Sequence, residues 1–472
     1  LTALTAMSLT DHELTRARRR FLKAGAATAL ALSPLGQLLA KAGGPHSGPS
    51  HPGYGRLRPV RDLTTGLPLL RLPEGFSYLS FGWAGEEMAG GAVCPDAHDG
   101  MGLVRAEGEV LTLVRNHEIV TGAGSFAPAS ATYDTRCAGG TVTLRFDAGA
   151  GRLLDMRPSL SGTLQNCAGG VTPWGSWLSC EEFVSDPGPV RLGGGEHTLA
   201  RAHGYVFEVP AEGLSRAEPI VGMGRMRHEA ATVYPRTGEV YLTEDQESGG
   251  ASGFYRFIPK VRDDFLRGGR LQMLKAVGEP DLRTGQLVGR RLKVEWVEIE
   301  DPDRGFDSDG RPIGLQAQGY AGGASKFSRL EGCIAGDEVV YFVSTNGGDA
   351  ACGQVWAYYP ERAELVLIFE PSDPAVLDYP DNIVLSPRGG LVICQDSKGP
   401  RQHLYGLTAG GELFVFARND VVLDGAMGFS GDYRGQEWAG CCFSPDGKWL
   451  FANVYRPGFS VAITGPWKQG LI

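Results

Sequence analysis

Short apolar runs alternate with turns rich in Pro and Gly along most of the chain. "HDGMGLVRAEGEVLTLVRNHE" begins at His98, "NCAGGVTPWGSWLSCEE" at Asn166, "HEAATVYPRTGEVYLTED" at His228, "PDNIVLSPRGGLVICQD" at Pro380 and "EWAGCCFSPDGKWLFANVY" at Glu437. Each has a polar residue, a short apolar strand, a turn, and a second apolar strand that ends in polar or acidic residues. "LEGCIAGDEVVYFVSTNGG", from Leu330, keeps the plan with a shorter turn. The turn chemistry and the β-branched and aromatic strands predict a β-hairpin for each stretch. Six such units in one chain predict an all-β fold, a six-bladed β-propeller in which each blade is a small antiparallel sheet. A pair of β-sandwiches is the rival arrangement, and the repeated turn speaks against it. The interval from Arg262 to Ser328 is longer than the others and contains "DPDRGFDSDGRP". It predicts an elaborated loop insertion over about residues 262–328.

Residues 1–42 read as a segment apart from this fold. Arg18 and Arg19 precede "RFLK" at Arg20 to Lys23, a modest apolar run follows, and "AKA" at Ala40 to Ala42 offers a small-x-small cleavage site. The pattern resembles a twin-arginine export signal. The run carries Ser33 and Pro34, which argues against a stable membrane span. Residues 43–472 are then expected as a single propeller domain, exported to the periplasm or secreted by the twin-arginine machinery, and monomeric.

Composition narrows the partners. The chain has 472 residues, 42% apolar, with 69 Gly, 29 Pro and a net charge of −9. Removing residues 1–42 takes away a net charge of +4 and leaves −13. No nucleic-acid partner is expected of so acidic a protein. Acidity suits divalent cations where carboxylates converge. All nine Cys lie beyond residue 42, and none forms a C-x-x-C pair. A zinc ribbon is therefore not expected. Cys180, Cys394, Cys441 and Cys442 read as core residues.

The residue leading each first strand carries the chemistry. These are Asp99, Cys167, Glu229, Glu331, Asp381 and Glu437. Counted back from the turn glycine, Asp99, Glu229 and Asp381 share one offset. Cys167 is displaced by one residue, Glu437 by one in the other direction, and Glu331 fits with a gap. Innermost propeller strands line the channel, so such side chains would point at one axis. Carboxylates gathered this way stay ionised only with cations between them. Oxygen ligands suit Ca²⁺ and a thiolate suits a transition metal. His117 and His228 each precede an acid and are read as metal ligands or as packing behind them. The sequence has no G-x-S-x-G elbow, no H-E-x-x-H and no Walker loop, and "GMGRMR" at Gly222 lacks the third glycine of a dinucleotide fingerprint.

These residues resemble the PhoX-type alkaline phosphatases. The resemblance rests on "RNHE" at Arg115 to Glu118, "NCAGGVTPWGSWLSCEE", "GRMRHEAA" at Gly224 to Ala231, "SRLEG" at Ser328 to Gly332, "PDNI" at Pro380 to Ile383 and "FSPDGKWLFANV" near the end. It implies a six-bladed propeller whose channel mouth holds ferric and calcium ions and hydrolyses small phosphate monoesters. It implies Cys167 as the iron thiolate, and Glu118, Glu182, Glu229, Glu331 and Asp381 as carboxylate ligands, with Glu181 the uncertain neighbour of Glu182. It implies Arg329 as the arginine facing the phosphoryl group, acting beside Glu331. Asp99 and Glu437 stand as further ligand candidates. Two other functions fit the composition: a calcium-dependent propeller hydrolase acting on lactones or phosphotriesters, and a non-catalytic calcium-binding propeller.

Overall fold

The computed structural model describes residues 52–120, 124–246, 251–469 and 471–472. The expected export signal, residues 1–42, lies outside them. The described residues form an all-β, propeller-like arrangement with one α-helix, Gly314–Ala321. No described helix is long and apolar enough to cross a membrane.

Six first strands face one another around a central axis: His98–Glu107, Asn166–Val171, His228–Val233, Leu330–Ala335, Pro380–Leu385 and Trp438–Phe443. Each packs against the next, and the last packs against the first. Each also pairs antiparallel with the strand that follows its turn, so the hairpins read from the sequence are present. The approach at the axis is close. A Cβ on Gly332 would stand 2.7 Å from the Asp381 carbonyl, and one on Gly440, at φ +61°, would stand 2.6 Å from the Asp99 carbonyl. Only glycine tolerates both contacts.

The hydrogen-bonded sheets do not divide into six separate blades. The strand Arg291–Ile299 pairs with Glu364–Phe369 and fuses two units into one nine-stranded sheet. Residues 262–328, expected as an elaborated loop, contain Gly269–Ala276 and Arg291–Ile299, both strands of that sheet, and the helix. Asp, Gly and Pro between them mask the strand alternation in "RLKVEWVEI". Elsewhere an early and a late strand join: Ser77–Phe81 pairs with Phe459–Thr464 within one sheet. Among the described residues this pairing closes the seam between the first and last units.

Apolar side chains fill the space between neighbouring sheets. Phe254 stacks on Phe342 with centroids 4.2 Å apart, and Trp83 stacks on Phe459 at the same spacing. Trp83, Trp356 and Trp438 are among the largest fully buried side chains. Each aromatic of this size contributes about 1.5–3 kcal/mol by leaving water. The rigid packing holds the six first strands, and so fixes whatever their ends carry.

Candidate metal centre

A repeated backbone bond defines equivalent positions in the six units. The carbonyls of Ala97, Gln165, Arg227, Arg329, Tyr379 and Glu437, each just before a first strand, accept N–H bonds of 2.9–3.2 Å. The donors are Glu118, Glu182, Asp245, Thr345, Asp396 and Tyr455, each at the end of the following strand. Ala97, Gln165, Arg329 and Tyr379 adopt positive φ, from +35° to +54°. Such backbone costs about 1–3 kcal/mol per residue and persists where surrounding bonds enforce it.

Two residues further on stand Asp99, Cys167, Glu229, Glu331, Asp381 and Ala439. A break in pairing register accompanies each of them: Asn166 and Gly169, for example, flank the break around Cys167. A bulge re-aims the side chain it carries, here toward the axis. The sequence reading placed Glu437 in this set. The structure places Ala439 there, and Glu437 at the position of Arg329. In this sixth unit the register break falls one residue later, between Ala439 and Cys442, which displaces the apparent repeat.

The three sets of positions meet in one cavity of about 170 Å³. It is lined by nine carboxylates, those of Asp99, Glu118, Glu182, Glu229, Asp245, Glu331, Asp381, Asp396 and Glu437, with Cys167, Gln165, Arg227 and Arg329. Ligand atoms cluster within 4.8 Å in three groups: Cys167 with Glu182 and Glu229, Asp99 with Glu118 and Glu437, and Glu229 with Glu331 and Asp381. Glu229 belongs to two of them.

Electrostatics oppose full ionisation of this arrangement in the absence of cations. Burial, followed by the neighbouring carboxylates, pushes the carboxyls of Asp99, Glu229, Glu331, Asp381 and Glu437 well above their usual range. Burial pushes Glu182 up to about 8 despite Arg227 beside it. The Cys167 thiol is also raised, by burial and then by Glu229. Its Sγ lies 3.1 Å from the His228 carbonyl. Nine carboxylates and a thiol against two guanidiniums need positive charge among them to ionise together.

The arginines are held by the acids. Asp245 accepts Arg329 Nε at 2.9 Å and Nη2 at 2.5 Å, a two-point grip on the guanidinium plane. Arg329 Nη2 also lies 3.3 Å from Glu331 Oε1. Arg227 donates from Nη2 to Glu182 Oε1 at 2.5 Å and from Nε to the Asp245 carbonyl at 2.8 Å. Gln165 Nε2 donates to Glu182 Oε2 at 2.8 Å.

Glu181, His117 and His228 do not line the cavity. Strand alternation turns Glu181 away from Glu182. Its oxygens accept His203 Nδ1 at 2.7 Å and the N–H groups of Leu164, Gly204 and Tyr205. His117 is buried, with Nδ1 2.9 Å from the Asp96 carbonyl and its ring edge-on to His98. His228 Nε2 lies 2.9 Å from the Gly224 carbonyl, and burial lowers its pKa to about 4.

Sequence reasoning missed Gln165, Arg227, Asp245 and Asp396. A signal existed for three of them. "RHE" at Arg227 to Glu229 and "RLE" at Arg329 to Glu331 share an R-x-E spacing that makes the two arginines equivalent. "LTED" and "ICQD" end as "SCEE" does, in an acid one residue past the second strand.

A family model described as alkaline phosphatase PhoX matches residues 53–458. No curated protein sequence matches. Among solved structures, Pseudomonas fluorescens PhoX in complex with vanadate, a transition state analogue, superposes with a TM-score of 0.61. The identity is 16%, over 87% of this chain and 98% of that one. A putative 6-phosphogluconolactonase from Bacteroides uniformis gives a TM-score of 0.32 at 14% identity, over 77% of this chain and 81% of that one, too distant to carry an argument.

Proposed function

The chain belongs to the PhoX alkaline phosphatase family and is a phosphatase, and from that premise we propose that it hydrolyses small phosphate monoesters at a cluster of iron and calcium ions. One observation carries the proposal: nine carboxylates and one thiol converge on a cavity of about 170 Å³ with two arginines beside them. This donor set fits cations of both kinds. Cys167 with Glu182 and Glu229 would hold iron, because a thiolate favours a transition metal over calcium. The all-oxygen groups, Asp99 with Glu118 and Glu437 and Glu229 with Glu331 and Asp381, suit calcium. Asp245 and Asp396 complete the acidic wall.

When bound, the ions supply charge neutralisation of the phosphate and activation of a water molecule. The side chains do the rest. Arg329, fixed by Asp245, donates to an equatorial phosphoryl oxygen, and its planar fork suits that geometry. Glu331, beside it, ties the arginine to the ion-binding wall. Arg227 and Gln165 orient Glu182 from two sides, so its oxygens stay aimed. Strained backbone at Gln165 and Arg329 keeps these donors in place before substrate arrives, which lowers the reorganisation needed in the transition state.

In this reading the six first strands are six blades around one axis, and residues 43–472 form one catalytic domain. Export of the folded monomer by the twin-arginine route to the periplasm or beyond allows the metals to be loaded inside the cell. A calcium-only propeller hydrolase is the second reading, and Cys167 in the cavity disfavours it, since calcium has no need of a thiolate. Elemental analysis of the purified protein separates the two. Iron together with calcium supports the phosphatase cluster, and calcium without iron contradicts it.

A further inference from the structure

A second donor cluster lies on the far side of the strand Ser176–Glu181, away from the acidic cavity. Asp134, Cys137 and His203 converge there, 1%, 3% and 0% exposed. His203 Nε2 stands 3.6 Å from Cys137 Sγ and 3.6 Å from Asp134 Oδ2. The three donor atoms all lie within 4.8 Å of one another. A separation of 3.6 Å is too long for the N–H···O bond to Asp134, though within hydrogen-bond reach of the Cys137 sulfur. It is the spacing of two ligands on one tetrahedral zinc ion, where bonds of about 2.0–2.3 Å set donors about 3.3–3.7 Å apart.

The surroundings hold two of the donors, His203 and Asp134, in place. His203 Nδ1 meets Glu181 Oε1 at 2.7 Å. A metal-binding histidine typically gives its other ring N–H to a carboxylate in this way. Glu181 is itself fixed by the N–H groups of Leu164, Gly204 and Tyr205 at 2.9–3.1 Å. Asp134 Oδ2 accepts the N–H groups of Ala200 and Arg201 at 2.6 and 3.1 Å. By contrast, the buried cluster of Cys94, His98 and His117 has the Arg115 guanidinium 3.1 Å from Cys94 Sγ, and that charge repels a metal cation.

We propose that Asp134, Cys137 and His203 bind a zinc ion, with Glu181 as the positioning residue behind His203. Three protein donors fill three of the four tetrahedral positions. The ion ties the segment around Cys137 to the segment around His203. Through Glu181 it braces Leu164, three residues before Cys167. Binding displaces one proton from His203 Nε2 and one from Cys137 Sγ, with no change of oxidation state. The competing arrangement is a proton-filled triad: burial opposes charge on His203, but Glu181 and Asp134 outweigh it and raise its pKa to about 12.

The test uses the full chain, given equimolar Zn²⁺ during purification, with elemental analysis and zinc X-ray absorption. The expected result is one zinc per chain with one sulfur neighbour at about 2.3 Å and nitrogen or oxygen neighbours at about 2.0 Å. Cys137→Ser and His203→Gln should each lose that zinc while iron and calcium remain. Cys167→Ala should keep the zinc and its sulfur neighbour, which separates this site from the acidic cavity. Absence of zinc from the folded wild type, zinc without a sulfur neighbour, or zinc retained in both variants would overturn the proposal. Should those two variants not fold, Cys167→Ala decides: zinc with a sulfur neighbour in it upholds the proposal, and zinc lost or without sulfur overturns it.

Discussion

Asn116 reaches from one unit into the next and holds the backbone of Cys167. Its Nδ2 donates to the Cys167 carbonyl at 2.9 Å and to the Ala168 carbonyl at 2.7 Å. Its Oδ1 accepts Trp177 Nε1 and Ser179 Oγ, each at 2.9 Å. The same latch recurs from Thr243 Oγ1 to the Glu331 carbonyl and from Asn453 Nδ2 to the Asp99 carbonyl. Asn116, Thr243 and Asn453 each lie two residues before the end position of their unit. The closing of the ring and the aiming of the ligand-type side chains are therefore one structural event.

Truncating the latch should cost stability. Asn116→Ala leaves two carbonyls and two donors unpaired in the interior, a loss on the order of 3 kcal/mol. Equilibrium denaturation should show a lower midpoint with an unchanged slope. An unchanged midpoint would mean the latch does not bear on the fold.

Cys167→Ala should remove iron and leave the fold intact. The side chain is small, and beyond the Sγ contacts with the His228 and Glu229 carbonyls the surrounding strands are held by their own backbone pairing. Elemental analysis checks the first point and circular dichroism the second. Iron retained at the wild-type ratio would show that the thiol is not a ligand.

Arg329→Ala should lower kcat by about 10²–10³-fold, the usual loss for one oriented donor to a transition-state oxygen. Arg329→Lys should recover part of it, since a lysine keeps the charge and loses the planar fork. Steady-state kinetics with metal content measured alongside would separate a missing donor from an emptied site. A near wild-type kcat in Arg329→Ala would remove Arg329 from the mechanism.

Much of this site was legible in the sequence because it is written in a repeat. Asp99, Cys167, Glu229, Glu331 and Asp381 follow a common plan of strand, turn and strand, and a turn glycine marks the place of Asp99, Glu229 and Asp381 at one offset. Glu437 lines the cavity, but at another register position than its spacing gave, because the bulge in its unit falls one residue later and sequence spacing does not show bulges. Asp245 and Asp396 were overlooked because a strand-terminal acid usually faces solvent. Only the backbone bond across each hairpin shows that these acids sit opposite Arg227 and Tyr379. The outer strands Gly269–Ala276 and Arg291–Ile299 were hidden by Gly and charged residues within an irregular stretch. Glu181 illustrates strand pleating: adjacent acids pointed to opposite faces, and the face could be assigned only from its neighbours.

The acidic cavity should make the metal-free protein sensitive to rising pH. Burial raises the folded-state pKa of Glu182 from 4.5 to about 8, so the folded chain binds more protons than the unfolded one between those values. Stability from this group is complete below about 4.5 and falls as pH rises toward about 8. The chelated protein should melt at progressively lower temperature across this window, and added metal should restore more stability at the upper end. Scanning calorimetry with and without chelator measures both. A chelated protein that grows more stable across the window would contradict the raised carboxyl.

The most direct test of the metal-dependent phosphatase site is hydrolysis of p-nitrophenyl phosphate from about pH 7 to about pH 10, before and after chelation and after iron and calcium are returned. The account predicts release of p-nitrophenol that chelation abolishes and the two metals together restore. Absence of release across the range, or release indifferent to chelation, would contradict it.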